Sequence, residues 1–131
     1  MRLKYHYQIP LIVCEDMETV EQIICNSHIE TAHVRFFKSD RSLLGVAEML
    51  SGSVNSISIS LRAVAKVALQ LDAKSITLTH HHPSGDPAPS RADIVETRKL
   101  IQGLKMLDIT VYDHIITSTE TSFSFRAAGL I

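Results

Sequence analysis

The chain has 131 residues, 45% hydrophobic and 21% charged, a composition that suits one soluble globular domain around one core. A formal net charge of -1 excludes the broad positive field of a nonspecific nucleic-acid binder. No apolar run approaches the roughly 20 residues that cross a membrane, and two cysteines exclude a disulfide framework.

The opening residues, Met1 to Tyr7, lack the apolar stretch and small-residue cleavage site of a secretory signal, which makes a cytoplasmic location the default. Residues 1–15 read as an extended or irregular N-terminal segment ahead of one domain over 16–131. A first helix is expected over about 16–28, capped by Asp16, with Val20, Ile23 and Ile24 at helical spacing. Cys25 falls on that apolar stretch and reads as a reduced core residue, and its spacing from Cys14 fits no common zinc pattern. A strand over about 31–38 points Ala32, Val34 and Phe36 one way and His33, Arg35 and Phe37 the other. Ser39 to Ser42 forms a turn into a second strand over about 43–50, and Gly52 and Asn55 mark a break.

A second helix is expected over about 60–72, capped by Ser60, with Leu61, Val64, Ala65, Ala68 and Leu69 as its apolar stripe. The strand Ser75 to His80 follows, then a loop forced by Pro83, Gly85, Pro87 and Pro89. A third helix runs from near Ser90 to about 106, and strands over about 109–117 and 121–126 close the domain. The β-helix-β crossover argues parallel pairing and the short connections argue hairpins. The fold class is therefore α/β, with a mixed sheet flanked by helices.

The densest chemistry lies at 80–93. His80 ends a strand and His82 stands two residues on, so both project to the same side, roughly 6–7 Å apart along the chain. Imidazoles at that separation can converge on one ion, whereas His81 points the other way and drops out as a ligand. The loop returns the chain so that Asp93, in the first turn of the third helix, faces them. A His/His/Asp set leaves a fourth tetrahedral position for water, whose pKa zinc lowers to about 7. Each piece also has an ordinary structural use. Ser90-x-x-Asp93 makes a capping box, and Asp86 with the Pro and Gly residues suits turns.

The run from His80 to Asp93 is similar to the JAMM metalloprotease motif H-x-H-x7-S-x2-D. More narrowly it resembles the RadC family, with His81 in place of the usual Asn. The likeness continues through Thr97, Leu107-Asp108-Ile109 and Asp113-His114-Ile115-Ile116, with weaker matches at Leu43-Leu44 and Gly52 to Asn55. It implies a JAMM/MPN-like, cytidine deaminase-like three-layer arrangement. It also implies a zinc site at His80, His82 and Asp93, Ser90 as a hydrogen-bond partner of the oxyanion or the water, and a glutamate as general acid and base. Glu30 is the first choice for that glutamate and Glu48 the rival. Asp113 and His114 read either as a pair orienting a ligand or as a strand-start pair near the surface. His6, His28 and His33 read as surface or structural.

One departure from the RadC pattern is Leu61-Arg62-Ala63, where relatives carry Pro-Arg-Glu: Arg62 remains and the acid is gone. RadC proteins also commonly carry an N-terminal helix-hairpin-helix region, for which this chain has no room, so a DNA-binding role is not carried over. The expected activity is zinc-dependent hydrolysis of a peptide or isopeptide bond in a peptide or protein substrate. The alternatives are a noncatalytic metal-binding interaction module and a DNA-repair-associated factor, and the near-neutral charge argues against direct duplex binding. A homo-oligomer stays open.

Overall fold

The computed structural model describes residues 11–12, 31–50, 59–83 and 85–131. Among these residues six strands form one mixed sheet in the order β1-β3-β2-β4-β5-β6. They are β1 (Leu11–Ile12), β2 (Thr31–Phe37), β3 (Leu43–Leu50), β4 (Ser75–His81), β5 (Thr110–Thr117) and β6 (Ser122–Ser124). Two helices among the described residues interrupt them, α1 (Leu61–Gln70) and α2 (Arg91–Lys105). β4 and β5 run parallel, joined through α2, and the other pairings among the described residues are antiparallel. The mixed α/β sheet expected from the sequence is present. The expected helix over 16–28 and the break near Gly52 and Asn55 lie outside the described residues.

Alternation along β2 builds the core. Ala32, Val34 and Phe36 are fully buried and pack with Ala47, Ile76, Leu78 and Val111 from the neighbouring strands. The same cluster takes Val64, Val67 and Ala68 from α1 and Leu100 and Leu104 from α2, so both helices cover one face of the sheet. The opposite face carries His33, Arg35, Thr77, Thr79, His81 and Asp113, all buried. Register fixes this division: His33 pairs with Glu48 and Thr79, while Ala32 pairs with His80.

The helix ends follow their caps. The Ser60 side chain accepts from Ala63 N at 3.2 Å. α1 closes through Asp72, at a left-handed φ of 52°, with Ala73 N donating to Ala68 O at 2.8 Å. The stripe on α1 differs from expectation. Leu61 and Leu69 are 37% and 57% exposed, and Val67 takes the buried place between Val64 and Ala68. Leu61 instead leans over Gly103 of α2, where a side chain would collide with it. The last strand is shorter than expected, because Ala128 N bonds to Ser124 O and Leu130 N to Phe125 O, curling the chain out of the ladder. No helix among the described residues is long and apolar enough to cross a membrane.

Candidate metal centre

β4 delivers the two imidazoles. It runs one residue beyond the expected end, to His81, and His82 N extends the ladder by donating to Thr117 O at 2.7 Å. Pairing with β2 on one side and β5 on the other therefore fixes the backbone at His80, His81 and His82. His80 is buried on the helix face, where its register partners are Ala32 and Ile116. His81 is buried on the opposite face, its Nδ1 3.0 Å from Thr117 Oγ1, and takes no part in the cluster.

α2 delivers the carboxylate. Ser90 caps the helix, its Oγ accepting from Asp93 N at 3.0 Å, and Ser90 N donates back to Asp93 Oδ2 at 2.8 Å. The capping box expected from Ser90-x-x-Asp93 is therefore formed, and it sets the rotamer of Asp93. Oδ1 of Asp93 lies 3.7 Å from His80 Nδ1 and Oδ2 lies 3.8 Å from His82 Nε2. One ligand atom from each of the three residues falls within 4.8 Å of the others. Ligands about 2.0–2.1 Å from a tetrahedral ion stand roughly 3.3–3.4 Å apart, so the two carboxylate contacts, made by different oxygens, lie a few tenths of an ångström outside that spacing, and the three atoms would draw in from within 4.8 Å to share one cation.

The loop fixes a tautomer. His82 Nδ1 lies 3.0 Å from the carbonyl oxygen of Asp86, which can only accept, so Nδ1 carries the proton and donates. That leaves the lone pair on Nε2, the atom turned to Asp93. Asp86 is itself tied down, its Oδ1 accepting from Ala88 N at 3.0 Å, and Gly85 supplies the positive φ of 87° that the turn requires. The rings of His80 and His82 meet edge to face at 4.5 Å between centroids.

The other named residues separate. Glu30 lies outside the described residues; the next residue in sequence, Thr31, pairs with His81. Glu48 pairs with His33, which sets it on the sheet face opposite His80. Ser90 is exposed at the mouth of the cluster. His33 is buried with neither ring nitrogen hydrogen-bonded, and burial, followed by the charge of Arg35, lowers its pKa from 6.5 to about 4. His6 and His28 lie outside the described residues.

Asp113 and His114 do not act as a pair. They stand in mid-strand rather than at its start, so alternation turns them to opposite faces. His114 is buried on the helix face near His80, ring centroids 6.1 Å apart, and burial, followed by the charge of His80, lowers its pKa to about 4. Asp113 binds elsewhere. Its Oδ1 accepts from His114 N at 2.7 Å and Arg126 N at 3.0 Å, and its Oδ2 accepts from Ser124 Oγ at 2.6 Å. Reading the two as one motif obscured this, although strand parity was enough to divide them.

Glu96 was not singled out in the sequence. It lies one turn beyond Asp93 on α2, partly buried, and its pKa is raised by that burial and by the Asp93 charge against the opposing pull of an Ile59 backbone bond and His80. The signal was the i+3 spacing from a ligand carboxylate.

The family model described as a RadC-like JAB domain matches residues 13–130. A UPF0758 protein of Ruegeria pomeroyi is 39% identical over 107 residues, covering 80% of this chain and 48% of that protein. One from Rhodobacter capsulatus is 38% identical over 107 residues, covering 80% and 50%. A UPF0758 protein of Neisseria meningitidis serogroup C is 33% identical over 124 residues, covering 92% and 55%. The chain thus spans about half the length of these relatives.

Proposed function

The chain belongs to the RadC-like JAB domain family, and from that premise we propose that it is a zinc-dependent hydrolase cleaving a peptide or isopeptide bond. The observation that carries the reading is the convergence of His80, His82 and Asp93, one ligand atom from each within 4.8 Å of the others. The donor set suits zinc: two imidazoles and one carboxylate, with His82 held in the tautomer that offers Nε2. A zinc ion held there would act as a Lewis acid and lower the pKa of a water.

The protein's own groups would do the rest. Asp93, held by the Ser90 cap, presents a carboxylate to both imidazoles without rotamer search. The Ser90 hydroxyl accepts from Asp93 N and keeps its own proton free for an oxyanion. We assign the general base to Glu30, which takes a proton from the attacking water and returns it to the leaving amine. The pairing of Thr31 with His81 supports that choice, and the placement of Glu48 on the other face counts against the rival.

Purified without chelator, the chain should carry about one zinc per molecule, measured by elemental analysis, and lose it in His80→Ala and His82→Ala. Metal content unaffected by those changes would defeat the reading. Glu30→Gln should keep metal and fold while losing turnover of a peptide or isopeptide substrate. A second reading rests on Ala63, a half-buried methyl against the core where the resemblance to the RadC pattern implies an acid. It makes the domain a noncatalytic metal-binding interaction module. Glu30→Gln indistinguishable from the parent in every hydrolytic assay would favour it.

A further inference from the structure

We infer that His114 and Thr97 are positioning residues for Asp93: a hydrogen-bond clasp from β5 that sets the depth of the metal-binding carboxylate against the strand carrying His80. This rests on the reading of His80, His82 and Asp93 as a cation site.

The clasp follows from counting protons. Thr97 Oγ1 donates to the carbonyl oxygen of Asp93 at 2.6 Å, which uses its one proton. Thr97 Oγ1 itself lies 2.7 Å from His114 Nδ1, so that contact requires the imidazole to donate. His114 is therefore the Nδ1–H tautomer, and its Nε2 is left a bare acceptor, buried and with no hydrogen-bond partner. An unpaired buried acceptor is destabilising, and an apolar ring would fill the space without one. What the imidazole adds is the Nδ1–H donor to Thr97.

The anchor end is rigid. His114 stacks on Phe125 at 4.5 Å and an interplanar angle of 14°, and its backbone accepts from Phe125 N at 2.9 Å. Thr97 is buried one turn along α2 from Asp93. The chain His114 to Thr97 to the Asp93 carbonyl thus links β5 to the first turn of α2. β5 is also hydrogen-bonded to β4, whose His80 ring lies nearly parallel to that of His114. The capping box fixes the Asp93 side chain relative to its own backbone, and the clasp fixes that backbone relative to the imidazoles.

Cobalt(II) is the probe, because its visible absorption bands report ligand geometry. In the full chain, Thr97→Val and His114→Phe should weaken Co2+ binding by about 10–100-fold and change the band pattern, while Thr97→Ser restores the parent's affinity and spectrum. Folded Thr97→Val and His114→Phe proteins with the parent's affinity and spectrum would overturn the clasp, and a His80→Ala control that loses Co2+ would show that the cation site itself stands. If the parent binds no Co2+, the cation reading falls and the clasp with it. Should a variant not fold, 15N NMR of the His114 ring in the parent still decides: an Nδ1–H tautomer supports the inference and an Nε2–H tautomer overturns it.

Discussion

Asp93 and Asp113 do opposite work with the same side chain. Both accept backbone N–H bonds. Asp113 uses both oxygens on three donors, two backbone amides and the Ser124 hydroxyl, and so pins the C-terminal turn to β5. Asp93 uses only Oδ2 on Ser90 N and turns Oδ1 to His80 at 3.7 Å. A carboxylate saturated by its own fold has nothing left for a cation, whereas one held by a single bond is both oriented and available. The difference is written in position: one begins a helix, the other sits inside a strand.

The comparison can be broken most severely at Asp113. Asp113→Ala leaves three donors without an acceptor and should cost about 3 kcal/mol or more, read from urea unfolding, while the folded fraction keeps its metal affinity. Loss of metal with stability intact would reverse the assignment of roles. Asp93→Ala should show the mirror image. Metal affinity falls at least about 100-fold by titration, while stability of the metal-free chain falls only by the cap, about 1 kcal/mol.

A third measurement concerns proton linkage. His33, held neutral in the fold with a pKa of about 4 against 6.5 unfolded, binds fewer protons folded than unfolded. Its contribution to stability is complete above pH 6.5 and is lost as pH falls toward 4. Between pH 7 and pH 5 the loss should be about 1–2 kcal/mol, and His33→Leu should flatten the decline. An unchanged slope in that variant would show that His33 is not its source. The smallest effect is expected at Ser90. Ser90→Ala removes the hydroxyl end of the cap for about 1 kcal/mol and leaves Oδ2 of Asp93 bonded to the backbone of residue 90, so metal binding should change little.

The fold was legible wherever one local rule decided the outcome. Alternation at Ala32, Val34 and Phe36 found the core face, H-x-H parity set His81 aside, and Ser90-x-x-Asp93 declared the helix start together with the carboxylate. What stayed hidden depended on neighbours distant in sequence. Leu61 and Leu69 matched the helical period, but burial falls on Val64, Val67 and Ala68, and Leu61 lies against Gly103 of the other helix. Asp113 read as a candidate beside the metal because the RadC likeness runs through Asp113-His114, with a strand-start pair as the alternative. Its partners Ser124, at the end of β6, and Arg126, in the turn that follows, are ones that no spacing near residue 113 announces. The Thr97 link from His114 to Asp93 crosses between two elements in the same way.

β4 is hydrogen-bonded along both edges, antiparallel to β2 and parallel to β5. The centre is therefore sensitive to the length of the strand rather than to its composition. Deleting one residue between Ser75 and Thr79, with both ladders intact, would turn His80 and His82 to the far face and leave His81 alone before Asp93. Every ligand would survive in the sequence and the centre would be gone. Transplanting this centre to another scaffold therefore means carrying over the two flanking strands that hold the frame, as well as the three side chains.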